Sequence, residues 1–379
     1  TIVSKLDYIV NSKDDNGNDD ATLTFSNTYD SKNNLTKVTS SGKRFIENPT
    51  DEKLCSTANY VSRIINYEYD AFDRLIKETR TDDGSETLNI EYDYYKNSGN
   101  LRKVLNNGNV YKKFTYQNGR KTNVSLWGID YPISYDNYGN IIKDTLGTIG
   151  YNSRNLLESY YIGTVSNNYY STTDYVKKCD YYYNYQGVRY RKRIKTSSTR
   201  TQYVKYYLDG SRILGEDWNY SDNSAEQSIR YFYDVEGIAG LRYDGCNFTF
   251  IKDPLGNVSK IMYQGKAIGE YVYDAWGNCQ VIELSIDSDT TNGARDRFVL
   301  HNNPFRWKSH YLDLENGRYY SPVLMQYLNA DNIENVSPSE VNALDRHAIT
   351  LDNSITYEEN ANTIFTDTEL YPDPTYDPL

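Results

Sequence analysis

The sequence predicts an all-β fold, with antiparallel β-hairpin repeats joined into a continuous spiralling sheet. Three observations predict it. A short phrase, aromatic-x-Tyr-Asp-x-x-Gly-Asn/Arg-apolar, recurs along the chain. Tyrosine is unusually frequent, 41 of 379 residues against 10 Phe and 4 Trp. Long amphipathic helical patterns are scarce, whereas stretches such as "YVKYYLDGSRILGE" (Tyr203 to Glu216) read as strand, Asp-Gly turn, strand.

The clearest copies of the phrase carry Tyr69-Asp70 ("YEYDAFDRL"), Tyr92-Asp93 ("IEYDYYKNSGNL"), Tyr135-Asp136 with Gly139 ("ISYDNYGNI"), Tyr233-Asp234 with Gly237 ("YFYDVEGI") and Tyr273-Asp274 with Gly277 ("YVYDAWGN"). Worn copies are "NTYDSKNNL" from Asn27, "GYNSRNLL" from Gly150 and "KDPLGNV" from Lys252. Tyr69, Tyr92 and Tyr116 follow one another at 23 and 24 residues, a period that marks a repeat architecture. The physics of one unit is legible. The aromatic residue two before the Tyr shares its strand face, and Tyr suits a half-buried pleated surface. The Asp then bonds its own backbone as an Asx-turn, and Gly or Asn supplies a positive φ. The apolar residue after the turn starts the return strand. One such hairpin is unstable alone, so the units must stack into a sheet.

Composition narrows the class further. So many tyrosines exceed what a conventional core accommodates, because each buried hydroxyl needs a partner; a large sheet with one half-wet face accepts them. Aromatic content also argues against disorder. No apolar run approaches the roughly 18 to 20 residues of a membrane helix. Cys55, Cys179, Cys246 and Cys279 lie far apart with no CxxC pair, which points to buried free thiols rather than a zinc site or a disulfide scaffold. The net charge of −11 is unevenly placed: residues 336–379 hold nine acidic side chains and one basic, leaving −3 for the rest. Those residues read as an extended or disordered acidic tail.

Other chemistry finds little support. His301, His310 and His347 are too few and too scattered for a zinc enzyme, and no dinucleotide, P-loop, HExxH or GxSxG motif appears. "KDDNGNDD" (Lys13 to Asp20) lacks the carboxylate that a calcium loop needs at its twelfth position and reads as an Asn-Gly hairpin turn. "VRYRKRIK" (Val188 to Lys195) places Arg189, Arg191, Arg193 and Lys195 on one strand face, with Val188, Tyr190, Lys192 and Ile194 on the other. In an acidic chain without a recognised binding motif this is a solvated sheet face, and nucleic acid is not an expected partner.

Taken together the repeats resemble the RHS or YD-repeat family, which includes teneurin-type and bacterial proteins. Near the C-terminus "YYLDGSRILGE", "YFYDVEGIAGLRYDG", "FIKDPLGNVSKIM", "GEYVYDAWGNCQ" and "NPFRWKSHYLDLENGRYYSPVLMQYLNAD" follow in the order of the family's RHS repeat-associated core. The last block begins with Asn303, Pro304, Phe305 and Arg306 and ends at Asp331. The resemblance covers roughly residues 20 to 335. It implies a division into worn N-terminal repeats (1–60), a β-shell (61–300), the core block (301–335) and the acidic tail (336–379). It also implies a long sheet wound into a hollow shell, closed at one end by the core block, and in many bacterial members a C-terminal toxin released by aspartyl autoproteolysis. Asp331 matches the family's first protease Asp. Gln326, however, stands where the family has Arg, and the Asp-Pro-Leu-Gly-Leu stretch is missing. Asp373 and Asp377 precede prolines but lack the glycine. Asp331 is therefore expected to be structural.

The expected function is a non-enzymatic structural shell segment of a secreted or cell-surface protein, of the type that encapsulates a C-terminal effector, with no cofactor and no metal. The expected partner is an encapsulated polypeptide or a surface glycan or protein. A carbohydrate-binding or adhesion module using exposed tyrosines is the alternative, and a self-cleaving toxin carrier a weaker one.

Overall fold

The computed structural model describes residues 7–13, 19–43, 60–145, 147–166, 169–195, 199–210, 212–235, 237–286, 290–311, 319–321, 323–328 and 364–365. The chain is all-β, as the sequence predicts, and within its two large sheets each strand pairs antiparallel with the next. Ten strands, from Asp7–Lys13 to Ile129–Pro132, form a first sheet; fourteen, from Ser134–Tyr135 to Cys279–Glu283, form a second. The predicted single sheet is thus divided between Pro132 and Ser134. A proline has no N–H to donate to a ladder, and Ile133 after it is buried, with its own N–H on Thr122 O of the first sheet at 2.9 Å.

The Tyr-Asp turn recurs with one geometry. In seven copies the side-chain oxygen Oδ1 of Asp30, Asp70, Asp136, Asn152, Asn184, Asp253 or Asp274 accepts the N–H groups two and four residues on, at 2.9–3.1 Å. The residue three on always has positive φ: Asn33, Asp73, Gly139, Asn155, Gly187, Gly256 or Gly277. This is why the phrase ends in Gly, Asn or Asp. In five copies the closing Asn or Arg also binds the second carboxylate oxygen.

Two expected copies differ. Tyr92 and Asp93 do not make the turn; Tyr94 ends the strand, and the loop runs from Tyr95 to Asn100, closed by a Tyr95 N–H to Asn100 O bond of 2.8 Å. The insertion shifted the apparent motif by two residues. Asp234 pairs across the ladder with Gly237, so only two residues connect these strands in place of the longer turn.

The tyrosine hydroxyls supply an order the phrase alone did not show. Those of Tyr69, Tyr94, Tyr116, Tyr135, Tyr151, Tyr183, Tyr233 and Tyr273 donate to backbone carbonyls of Leu35, Leu75, Leu101, Lys121, Ile141, Leu157, Ile213 and Val258, at 2.6–3.0 Å. Each acceptor sits at the start of the return strand of an earlier hairpin. The series crosses the sheet break, because Tyr135 belongs to the second sheet and Lys121 to the first.

One helix, Thr290–Asn302, follows the second sheet. Its Leu300 fills the space over Gly269, where any Cβ would come within 2.3 Å of it, and Leu300 O accepts the Tyr271 hydroxyl at 2.5 Å. The basic run also departs from expectation. Arg189 is fully buried and Tyr190 exposed, because a bulge between Tyr182 and Tyr183 reverses the alternation there. Arg189 stacks on the Tyr181 ring at 4.1 Å. Cys179 is buried, but Cys246 and Cys279 are half-buried; Cys55 lies outside the described residues. So do Asp331, His347, Asp373, Asp377, residues 14–18 of the acidic loop and nearly all of the tail, of which Ile364–Phe365 pairs parallel with Tyr319–Ser321. No described helix is long and apolar enough to cross a membrane.

Candidate functional site

The informative site is the seam where the end of the second sheet meets the first. One apolar core joins Leu75, Tyr92 and Phe114 of the first sheet to Trp276, Trp307, Tyr320 and Leu324. The "YDAWGN" turn is its hinge point. Trp276, at the turn's tip, is completely buried, with its ring 6.2 Å from that of Tyr92. The Ala275 N–H donates to Glu78 Oε2 at 2.7 Å, and the Tyr92 hydroxyl lies 3.4 Å from the same oxygen. At the other side of the seam Arg63 bridges Asp82 at 2.5 Å and Glu270 at 2.6 Å, and Lys260 reaches Glu270 at 3.1 Å. A cavity of about 70 Å³ lies between them, lined in part by Phe25, Arg63, Tyr67, Asp253, Glu270 and Trp307. That volume holds a few molecules the size of water.

The core block clamps the seam. Asn303 Nδ2 donates to Phe305 O at 2.7 Å, and Arg306 donates to the carbonyls of Asn303 and His301 while stacking over Tyr271. Arg306 O in turn accepts the Val258 N–H at 2.9 Å. The Phe305 ring packs edge-on against Tyr231, Tyr233 and Tyr311. Beyond it, Lys308 N donates to Asn257 Oδ1 and Ser309 Oγ to Gly256 O, so the block reads the turn at 253–257 directly. Trp307 rests on Gly277, where a Cβ would lie 2.7 Å from its ring, and stacks on Tyr320. The block's far end staples the sheet break: Lys121 Nζ donates to Leu324 O at 2.7 Å, and Ile141 N to Leu328 O at 2.8 Å.

Electrostatics mark the same places. Burial pushes Glu78 well above the usual carboxylate range, and neighbouring Asp274 adds to this. Burial also raises Asp274 and lifts Asp253 to about 6. Burial lowers Lys112 to about 8. Glu216 is raised by burial; it accepts the hydroxyls of Tyr231 at 2.7 Å and Tyr311 at 2.6 Å and the Trp218 Nε1–H at 2.8 Å. Burial likewise drops His310 to about 4.

The structure therefore brings together Tyr273, Asp274, Gly277, Asn303, Phe305 and Arg306 among the residues singled out by sequence. Tyr69, Asp70, Tyr135, Asp136 and Gly139 serve their own turns elsewhere in the ladder. Glu78, Glu216, Lys112 and Trp307 were not singled out. Glu and Lys at strand positions look like solvated face residues, and only a buried Trp after Asn-Pro-Phe-Arg could have signalled the clamp. Gln326, at the position of the family's Arg, is buried within the Gln326–Tyr327 strand, and its Nε2 has no hydrogen-bond partner among the described residues. Among the described residues no cluster of three His, Cys, Asp or Glu is placed to hold a metal.

No protein-family model matches the chain, and no curated protein matches it. Solved structures do. A Tc holotoxin pore of Photorhabdus luminescens, carrying a mutation in TccC3, aligns with 99% of this chain at 15% identity and a TM-score of 0.52, covering 17% of that chain. A crystal structure of TcdB2-TccC3 without its hypervariable C-terminal region aligns with 93% of this chain at 14% identity and a TM-score of 0.54, covering 19% of that chain. The fold is RHS-like. At this identity the likeness is one of fold alone, and the chain spans less than a fifth of either neighbour.

Proposed function

We propose that this chain is the non-enzymatic closing segment of a secreted or cell-surface β-shell of RHS type, whose shell encloses a C-terminal effector polypeptide. The observation that carries the reading is the core block. Its residues 303–311 grip the last turns of the second sheet and its residues 323–328 meet the break between the sheets, so it fastens a wall that the hairpins alone would leave open. Charged and aromatic side chains in the seam serve closure, and none is arranged as a nucleophile with an adjacent base. The fold likeness to Tc toxin chains and the ordered family blocks support the same reading.

Two experiments test it on the full-length gene product. Limited proteolysis should leave the polypeptide downstream of the core block protected while the wall is intact, and Trp307→Ala should expose it. Equal cleavage of that segment in both proteins would contradict enclosure. The chain should also stay uncut for hours at pH 5 to 7. A discrete C-terminal fragment that disappears in Asp331→Asn would replace this reading with that of a self-cleaving carrier.

Glycan adhesion has one observation in its favour. Trp127 is 67% exposed and packs against Tyr111 at 5.5 Å, forming an aromatic platform. Saturable quenching of tryptophan fluorescence by an oligosaccharide, lost in Trp127→Ala, would support it; no such response across a glycan panel would remove it.

A further inference from the structure

We infer that the exposed face of the second sheet binds a sulfated polysaccharide, through an array of cations centred on Arg191 and Lys205. The inference goes beyond the shell reading. It is also independent of the aromatic platform at Trp127, which belongs to the first sheet.

Strand register sets the array. Residues paired directly across a ladder point to the same side of the sheet. Three such pairs join like charges: Lys178 with Lys195, Arg191 with Lys205, and Arg230 with Arg242. They lie on six adjacent strands, from Tyr169–Tyr183 to Gly237–Tyr243. They also share one face. Arg191 and Lys195 alternate along one strand, Lys205 faces Asp217, and Asp217 faces Ser228, two residues before Arg230. Lys178 is half-buried and the other five cations are exposed. Like charges placed directly opposite destabilise a sheet, so folding gains nothing from this arrangement. The first sheet does the reverse: Glu68 faces Lys77, Lys77 faces Glu91, and Asp93 faces Lys103. Its like-charged pair, Lys103 with Lys113, has Asp93 3.8 Å from Lys103.

Two carboxylates serve the rows of the array. Asp180 takes Lys178 at 3.2 Å and Arg193 at 2.6 Å, and Asp217 takes Arg230 at 2.8 Å. Among the described residues Arg191, Lys195, Lys205 and Arg242 meet no carboxylate. Each like-charged pair therefore keeps at least one cation for a ligand. Arg191 is held in place by the rings of Tyr182 at 5.5 Å and Tyr203 at 5.2 Å.

Regularly spaced cations on a flat face, with no pocket between them, suit a linear polyanion. A guanidinium fork grips an oxyanion with two parallel bonds, and Thr201 and Asn219 in the same rows offer partners to sugar hydroxyls. Single-stranded nucleic acid fits less well, because bases stack on free aromatic faces. Here the rings already carry cations: Arg191 lies over Tyr182 and Tyr203, and Lys205 and Arg230 lie over Tyr207. An anionic bilayer takes up apolar side chains as well as charge, and these rows present Thr201, Asp217, Asn219 and Ser228 between the cations.

Titration of fluorescently labelled heparin with the purified chain tests the inference. Binding should saturate and weaken steeply with added salt, and desulfated heparin should bind at least about tenfold more weakly. Arg191→Gln combined with Lys205→Gln should cost about tenfold or more in affinity, the loss of two charge-assisted bonds. Its melting temperature should change little, because a like-charged pair is relieved. Lys103→Gln combined with Lys113→Gln removes the same charge from the first sheet and should leave affinity within about twofold. Trp127→Ala should also leave it unchanged. No saturable binding of heparin overturns the inference, as does full affinity in the Arg191→Gln, Lys205→Gln protein or an equal loss in both double variants. Tighter binding of a thymidine oligonucleotide or of phosphatidylserine vesicles also overturns it and assigns the face to that polyanion.

Discussion

At the residue scale the fold rests on one conformational requirement, met by different side chains in different copies. Gly277 shows it at its most demanding. Its φ is 83°, and Trp307 occupies the space a Cβ would need. Gly256 has nearly the same φ, 77°, but open space around it. Gly256→Ala should therefore cost only the left-handed penalty, about 1–2 kcal/mol. Gly277→Val should cost at least about 2 kcal/mol more, because the clamp must also move. Urea midpoints of the two variants measure the difference, and equal midpoints would show that Trp307 does not rest on this turn. The positive φ at Gly277 was legible in the sequence, since an Asp-x-x-Gly turn demands it. The Trp307 contact was not: it joins residues thirty apart through a block with no period.

At the scale of elements, hairpins are tied together by tyrosine hydroxyls as well as by the ladder. Tyr116→Phe removes the bond to Leu101 O at 2.9 Å and should lower stability by about 1 kcal/mol. Phe at Tyr190, which is exposed, should be near neutral. Thermal melts of the two variants distinguish a hydroxyl ladder from simple aromatic packing, which Phe would preserve. The sequence showed the strands, the Asx-turns and the need for hydroxyl partners. It could not show which carbonyls accept, because every residue carries one. The helix Thr290–Asn302 escaped because "TTNGARDRFVLHN" has only Phe298, Val299 and Leu300 as an apolar run, and its docking depends on the missing side chain at Gly269. The reversed faces around Arg189 have a local cause, one extra residue in that strand that changes its parity, whereas the motif at Tyr94 is displaced by two residues and keeps its face.

At the scale of the whole molecule, two sheets become one wall because the end of the second closes on the first. Trp276, Glu78 and Arg63 make that joint, and the core block covers it. Trp276→Ala should cost about 3–5 kcal/mol, as expected for a large buried side chain, and should loosen the seam before the ladder. The all-β class and the order of its blocks were legible because both are written in local, repeated signals. The seam was not, since Glu78 and Ala275 are 197 positions apart and neither belongs to a repeated contact. The most direct test of the account is a cryo-EM map of the full-length gene product. The account predicts a closed wall, with the 274–278 turn seated on the strands Leu75–Asp82 and Ser85–Tyr94, residues 303–311 and 323–328 at the joint, and polypeptide density inside. An open sheet with Trp276 in solvent, or a closed wall with nothing within it, would contradict it.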